Sequence, residues 1–131
     1  MAPLEQELIK EALKKSKGLK FDSGKPPMEL LSREWLEGTA KVLAFGAEKY
    51  AAHNWRKGIQ YSRLIGAALR HITAFMDGEN VDPESGLSHL HHASCCLMFL
   101  SETHERRPWM DDRWNAATDV NEKDILLNED N

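Results

Sequence analysis

An all-α fold follows from three features of the sequence. Apolar residues recur at steps of three and four along several stretches, which is the spacing of a helix face. Connections rich in Gly, Pro, Asp and Ser separate those stretches. No stretch alternates apolar and polar residues in the manner of a strand, and no internal repeat or low-complexity tract interrupts the pattern. The prediction is a four-helix-bundle-like domain over residues 1–117, with an N-terminal helix at 3–17 and a core at 30–106. Residues 118–131 read as an acidic tail, expected to be partly disordered.

The bulk properties narrow the function classes. A chain of 131 residues is long enough for one domain with a real core. At 41% hydrophobic and 29% charged it is no disordered chain, and its formal charge of −4 gives no general attraction to nucleic acid. No apolar run approaches the ~20 residues that span a membrane. The first fifteen residues, MAPLEQELIKEALKK, are too charged for a secretory signal. Cys95 and Cys96 are adjacent, so on a helix they point about 100° apart and do not bridge each other. Free thiols in a reducing cytoplasm are expected.

Taken in order, residues 3–17 form the first helix, with Pro3 in its first turn and Gly18 at its stop. Leu4, Leu8, Ile9, Ala12 and Leu13 make a narrow apolar stripe suited to peripheral packing or a dimer contact. Residues 18–27, GLKFDSGKPP, are a loop in which Lys25 beside Gly24 is a candidate phosphate contact. Ser32 caps a second helix to about residue 51, with Trp35, Leu36, Val42 and Leu43 on its apolar face. Gly38 and Gly46 within it permit close approach of another helix. That helix ends in Glu48, Lys49 and Tyr50. The next connection holds HNWRKG: Trp55 can stack on a base, Asn54 can bond a base edge, and Arg56 and Lys57 can pair with phosphates. The same loop also reads as a solvated turn with an anchoring Trp.

Ser62 caps a third helix to about residue 77, apolar on most sides and so expected to be central, with Arg70 and His71 in its middle. The acidic turn DGENVDPES follows. Gly78 ends the third helix, and Asp82 with Pro83 starts the fourth as N-cap and first-turn proline. On the fourth helix His89 and His92, at i and i+3, share a face, and His91 points elsewhere. The short turn makes the third and fourth helices antiparallel. Two same-face imidazoles near Glu79, Asp82 and Glu84 have the spacing for a divalent metal, or else hold the carboxylates by charged hydrogen bonds. Pro108 breaks the fourth helix, and Trp109 and Trp114 are expected to anchor the segment beyond it.

In order along the chain, FDSGKPP, FGAEKY, HNWRKG, ALRH, GENVDPESG and HLHHASC resemble the phage-type dATP/dGTP diphosphohydrolases, MazZ-like relatives of the all-α MazG nucleotide pyrophosphohydrolases. The resemblance spans residues 21–100. It implies a homodimer or homotetramer, Mg²⁺ or Mn²⁺, and conversion of a purine deoxynucleoside triphosphate to its monophosphate plus pyrophosphate. On that reading Glu48 or Glu79 is the catalytic base. Glu79, Asp82, His71, His89 and His92 are the candidate metal ligands. Lys25, Lys49, Arg56, Lys57 and Arg70 neutralise the triphosphate, Asn54 and Trp55 meet the purine, and Tyr50 packs on the deoxyribose. One departure stands out. The wider MazG superfamily carries EExxE on one helix and ExxD on the next. Here Arg70, His71 and Ala74 fall where the first motif belongs, and His89 and His92 where the second does. Hence the shell is expected to mix imidazole and carboxylate, which suits Mn²⁺. A nucleotide-binding module without hydrolysis, or a purely structural bundle, are the readings from other classes.

Overall fold

The computed structural model describes residues 2–115. The predicted acidic tail lies outside the described residues. Among the described residues the fold is all-helical: α1 (Pro3–Ser16), α2 (Arg33–Lys49), α3 (Tyr61–Met76) and α4 (His89–Arg106), with short 3-10 turns at Met28–Leu30, Asn54–Lys57 and Pro108–Met110. The only extended pairing among these residues is an isolated antiparallel bridge between Val81 and Ser88. No helix among them is long and apolar enough to cross a membrane.

The chain divides into two compact units, residues 1–31 and 32–131. In the first, Pro3 opens α1, and its last turn carries Lys14 and Lys15 against the helix dipole. No residue of α1 is buried, and Leu4, Leu8, Ile9 and Leu13 are all exposed. Lys25 closes a turn by donating its backbone N–H to the Asp22 carbonyl at 3.0 Å.

In the second unit α4 is the hub. It packs along α3, along part of α2, and against both later 3-10 turns. The expectation of a central α3 is thereby corrected: Leu69, Ile72, Phe75 and Met76 remain exposed on it. Tyr61 at the head of α3 lies against His104 near the end of α4, with ring centroids 6.1 Å apart. His71, further along α3, meets His89 at the head of α4. The two helices therefore run in opposite directions. The seam between α2 and α4 is close and polar. Thr39 and Ser94 hydroxyls bond at 3.1 Å, and the Cys95 thiol donates to the Thr39 carbonyl at 3.4 Å. Gly38 is what permits this approach. A Cβ there would sit 2.1 Å from the His91 ring, whereas Gly46 faces open space. Cys95 and Cys96 are free, and burial pushes the Cys95 thiol up to about 12, with Cys96 adding to it.

Of three capping expectations, one holds and two differ from the fold. Ser32 caps α2 as expected, accepting from the Trp35 N–H at 3.2 Å. At α3, however, the N-cap is Gln60. Ser62 is the second residue of the helix, and its N–H and hydroxyl both donate to the Asp112 carboxylate. At α4 the cap is Ser88, accepting from the Leu90 N–H at 3.2 Å, so the helix starts seven residues after Asp82 rather than at it. The segment after α4 is held through Asp112, and by Met110 packed close to Gly58; Trp109 and Trp114 stay about three-quarters exposed.

Candidate metal centre

The site is assembled by the loop between α3 and α4. Gly78, at φ 97°, turns the chain out of α3 in a left-handed conformation that favours glycine. The loop then closes on itself. Asp82 N–H donates to the Leu87 carbonyl at 2.8 Å, and His89 N–H to the Asn80 carbonyl at 3.1 Å. Asp82 Oδ1 accepts from the backbone N–H groups of Glu84 at 2.7 Å and Ser85 at 3.3 Å. Asp82 thus caps a tight turn instead of a helix. This leaves its second oxygen, Oδ2, 3.9 Å from His71 Nδ1.

Three imidazoles meet this loop. His71 Nδ1 and His89 Nδ1 lie 2.8 Å apart. His89 is 4% exposed, and its other nitrogen, Nε2, is 2.6 Å from Glu79 Oε1. His92 stacks flat on His71, centroids 4.6 Å apart at 9°. The Ser85 hydroxyl sits 2.6 Å from His92 Nε2 and accepts from the Leu87 N–H at 3.1 Å. With both hydroxyl contacts assigned, Ser85 fixes the ring of His92, which in turn flanks His71. One ligand atom each from His71, Asp82 and His89 falls within 4.8 Å of the others. Glu79 and His92 border that group and are not within it.

Burial lowers the pKa of His71, and the neighbouring His92 and His89 lower it further. His92 is likewise lowered, chiefly by burial, although Asp82 pulls the other way. Burial works against the charge of Asp82, yet the Glu84 and Ser85 N–H donors and the nearby His92 and His71 hold its carboxyl below the usual range. Neutral imidazoles beside an ionised carboxylate are the protonation states that metal binding needs.

The remaining candidate residues are more scattered. Glu48 is exposed on the last turn of α2. Beside it Lys49 bonds Glu84 of the acidic loop at 2.9 Å, which raises the Lys49 pKa, and its ammonium lies 5.5 Å from the exposed Tyr50 ring. Trp55 stacks on Phe99 of α4 at 4.6 Å. Arg56 lies 4.4 Å from the Trp55 ring and pairs with Glu102 at 2.8 Å. Asn54 is half-buried at the head of its 3-10 turn, and Lys57 and Arg70 are exposed. Lys25 belongs to the other unit. Two contributors escaped the sequence reading. Ser85 reaches a histidine seven positions on, and Glu102 reaches Arg56 across 46 positions. Neither spacing is a local signal.

Helical frame and imidazole–carboxylate cluster together define an all-α protein with a centre able to hold a divalent cation. The family model described as dATP/dGTP diphosphohydrolase, N-terminal, matches residues 15–113. A dATP/dGTP diphosphohydrolase of Salmonella phage PMBT28 is 42% identical over 101 residues, covering 76% of this chain and 34% of that protein. No solved structure matches. The chain belongs to the dATP/dGTP diphosphohydrolase N-terminal family. It spans about a third of the length of the curated relative it matches.

Proposed function

We propose that this chain carries a metal-dependent pyrophosphohydrolase site that converts dGTP or dATP, with water, to the monophosphate and pyrophosphate. The observation that carries it is the convergence within 4.8 Å of His71 on α3, His89 at the head of α4 and Asp82 on the connecting loop, which backbone bonds tie down. Family membership supplies the nucleotide. His71, Asp82 and His89 would hold a Mg²⁺ or Mn²⁺, which would supply positive charge for the triphosphate and a more acidic water. The protein's own groups do the rest. Glu48 and Glu79 are the carboxylates available as general base. Arg70 and Lys57, with no ion-pair partner among the described residues, meet the phosphates, joined by Lys49 and Arg56. Asn54 meets the purine and Tyr50 meets the sugar, while Trp55, with Phe99 stacked on one face and the Arg56 guanidinium over the other, holds the turn that presents Asn54.

A homo-oligomeric, bundle-like arrangement is part of the same reading. An open groove of about 1010 Å³ runs along α4, lined by Trp35, Ile72, Leu90, Leu97 and Met98. Apolar surface of that kind on a small domain marks an association face. The reaction then belongs to the nucleotide pool of the cytoplasm.

A second reading, nucleotide binding without hydrolysis, is favoured by one fact. Asp82 is the single carboxylate among the three clustered residues. Incubating the protein with each dNTP and NTP under Mg²⁺, Mn²⁺ or EDTA, and resolving products by chromatography, separates the two. Monophosphate and pyrophosphate, formed only with metal and mainly from purine deoxynucleotides, are expected. No product, together with a nucleotide-dependent rise in Tm, contradicts hydrolysis; a ligand at 100 times its Kd adds ~2.7 kcal/mol to a true binder.

A further inference from the structure

The detailed geometry of the cluster says which ion it suits and what Glu79 does there. A carboxylate only accepts hydrogen bonds when ionised. Glu79 Oε1, 2.6 Å from His89 Nε2, therefore places the His89 proton on Nε2. That leaves a lone pair on His89 Nδ1, facing His71 Nδ1 at 2.8 Å. In the metal-free protein a proton on His71 Nδ1 joins the two nitrogens. When that proton leaves, two imidazole lone pairs converge on one point. Metal–nitrogen bonds of about 2.1 Å put neighbouring ligands about 3 Å apart, close to the separation already present. Asp82 Oδ2 completes the set, and its carboxylate cannot swing away because Oδ1 is held by two backbone N–H groups. His71 is restrained by the flat stack of His92, itself fixed by Ser85.

We propose that His71, His89 and Asp82 form a nitrogen-rich centre for a first-row transition-metal ion such as Mn²⁺, Co²⁺ or Zn²⁺, that it discriminates against Mg²⁺, and that Glu79 is the positioning residue setting the His89 tautomer. The proposal rests on the metal-centre part of the functional reading. Mg²⁺ takes oxygen ligands in a small octahedron and gives up water reluctantly, so two imidazoles and one carboxylate serve it poorly. Imidazole suits Mn, Co, Zn and their neighbours. A carboxylate behind a ligating histidine is the recurrent outer partner of such centres, and losing it costs about 10–100-fold in affinity. On this assignment Glu79 is neither a ligand nor the base, and among the carboxylates considered Glu48 is left as the candidate base.

The test is metal binding to the full chain without nucleotide, by calorimetry and by the visible absorption of bound Co²⁺. One tight Co²⁺ or Mn²⁺ per chain is expected, undisturbed by about 100-fold excess Mg²⁺. Glu79→Ala should weaken Co²⁺ binding about 10–100-fold with the shape of the Co²⁺ spectrum unchanged. Glu79→Gln, which keeps an oxygen acceptor for His89 Nε2, should recover much of that loss. His71→Ala should abolish binding. Since His89 is buried and its replacement can unfold the protein, His71, at a less buried position, carries the ligand test, with circular dichroism as the folding control. Displacement by equimolar Mg²⁺ overturns the proposal. So does an altered Co²⁺ spectrum in Glu79→Ala, or a Glu79→Gln defect as deep as that of Glu79→Ala. Tight Co²⁺ binding in a protein that hydrolyses no nucleotide under any metal upholds this centre and overturns the hydrolase reading instead.

Discussion

Protons decide the behaviour of the cluster at the scale of single residues. His71 and His92 titrate below the ordinary imidazole value of 6.5 in the folded chain. The unfolded chain therefore binds more protons at these positions as the pH drops. Their contribution to stability is fully present above about 6.5 and is lost as pH falls through the lowered folded values. Asp82, Asp111 and Asp112 are also lowered, but from 3.8, so their window lies at more acid pH. Calorimetric melts in EDTA should accordingly show Tm falling between pH 7 and 5, and the fall should be shallower in His92→Gln. An unchanged slope in that variant contradicts the assignment. Much of this was legible in the chain, because i,i+3 spacing and an acidic turn flagged His89, His92, Glu79 and Asp82 together. What the sequence hid is the division of labour. Glu79 and His89 are ten positions apart across a loop, and only the closed backbone of residues 80–89 brings their side chains to 2.6 Å.

Two glycines of α2 separate the causes of packing at the scale of elements. Gly38→Ala drives a methyl into the His91 ring and should destabilise the protein by ~1–3 kcal/mol, as overpacking does. Gly46→Ala meets nothing within 4 Å and should stabilise it by ~0.5–1 kcal/mol through helix propensity alone. Urea melts of the two variants check both signs, and destabilisation by Gly46→Ala comparable to that at Gly38 would show that Gly46 also admits a neighbour. The sequence anticipated a close approach at both positions because a glycine in a helix carries no record of what faces it. The body of α2 was readable from apolar steps of three and four. The start of α4 was not, since Asp followed by Pro is chemically a helix N-cap and first turn, yet here the same residues build a tight turn. The Ser62 expectation failed similarly. Its hydroxyl is engaged by Asp112, 50 residues away, and Gln60 takes the cap position.

Surface, more than core, is informative at the scale of the whole molecule. The second unit leaves Trp35, Ile72, Leu90 and Leu97 exposed around one groove while burying Tyr61, Leu64, Ala68 and Ala93. Helical periodicity marks all of these but Tyr61, which it leaves in the preceding connection, and cannot say which of them stay exposed. Light scattering coupled to size exclusion should return a dimer or tetramer, and Leu97→Glu should shift it to monomer with the helical circular dichroism retained. A wild-type monomer at micromolar concentration contradicts the association face. The all-α class was legible throughout, since every described helix is announced by its apolar period. The hub position of α4 was not, because α3 has the more apolar sequence and α4 the more numerous neighbours.

The most direct test of the central claim, that the imidazole–carboxylate cluster is a metal-dependent hydrolytic site, is pyrophosphate release from dGTP and dATP by Asp82→Asn beside the wild-type protein in Mn²⁺. Asn keeps an oxygen for the Glu84 and Ser85 N–H groups, so the turn and the Tm should persist. Turnover should fall about 100-fold or more, because the charge facing His71 is gone. A folded Asp82→Asn protein with wild-type, metal-dependent turnover would contradict the account.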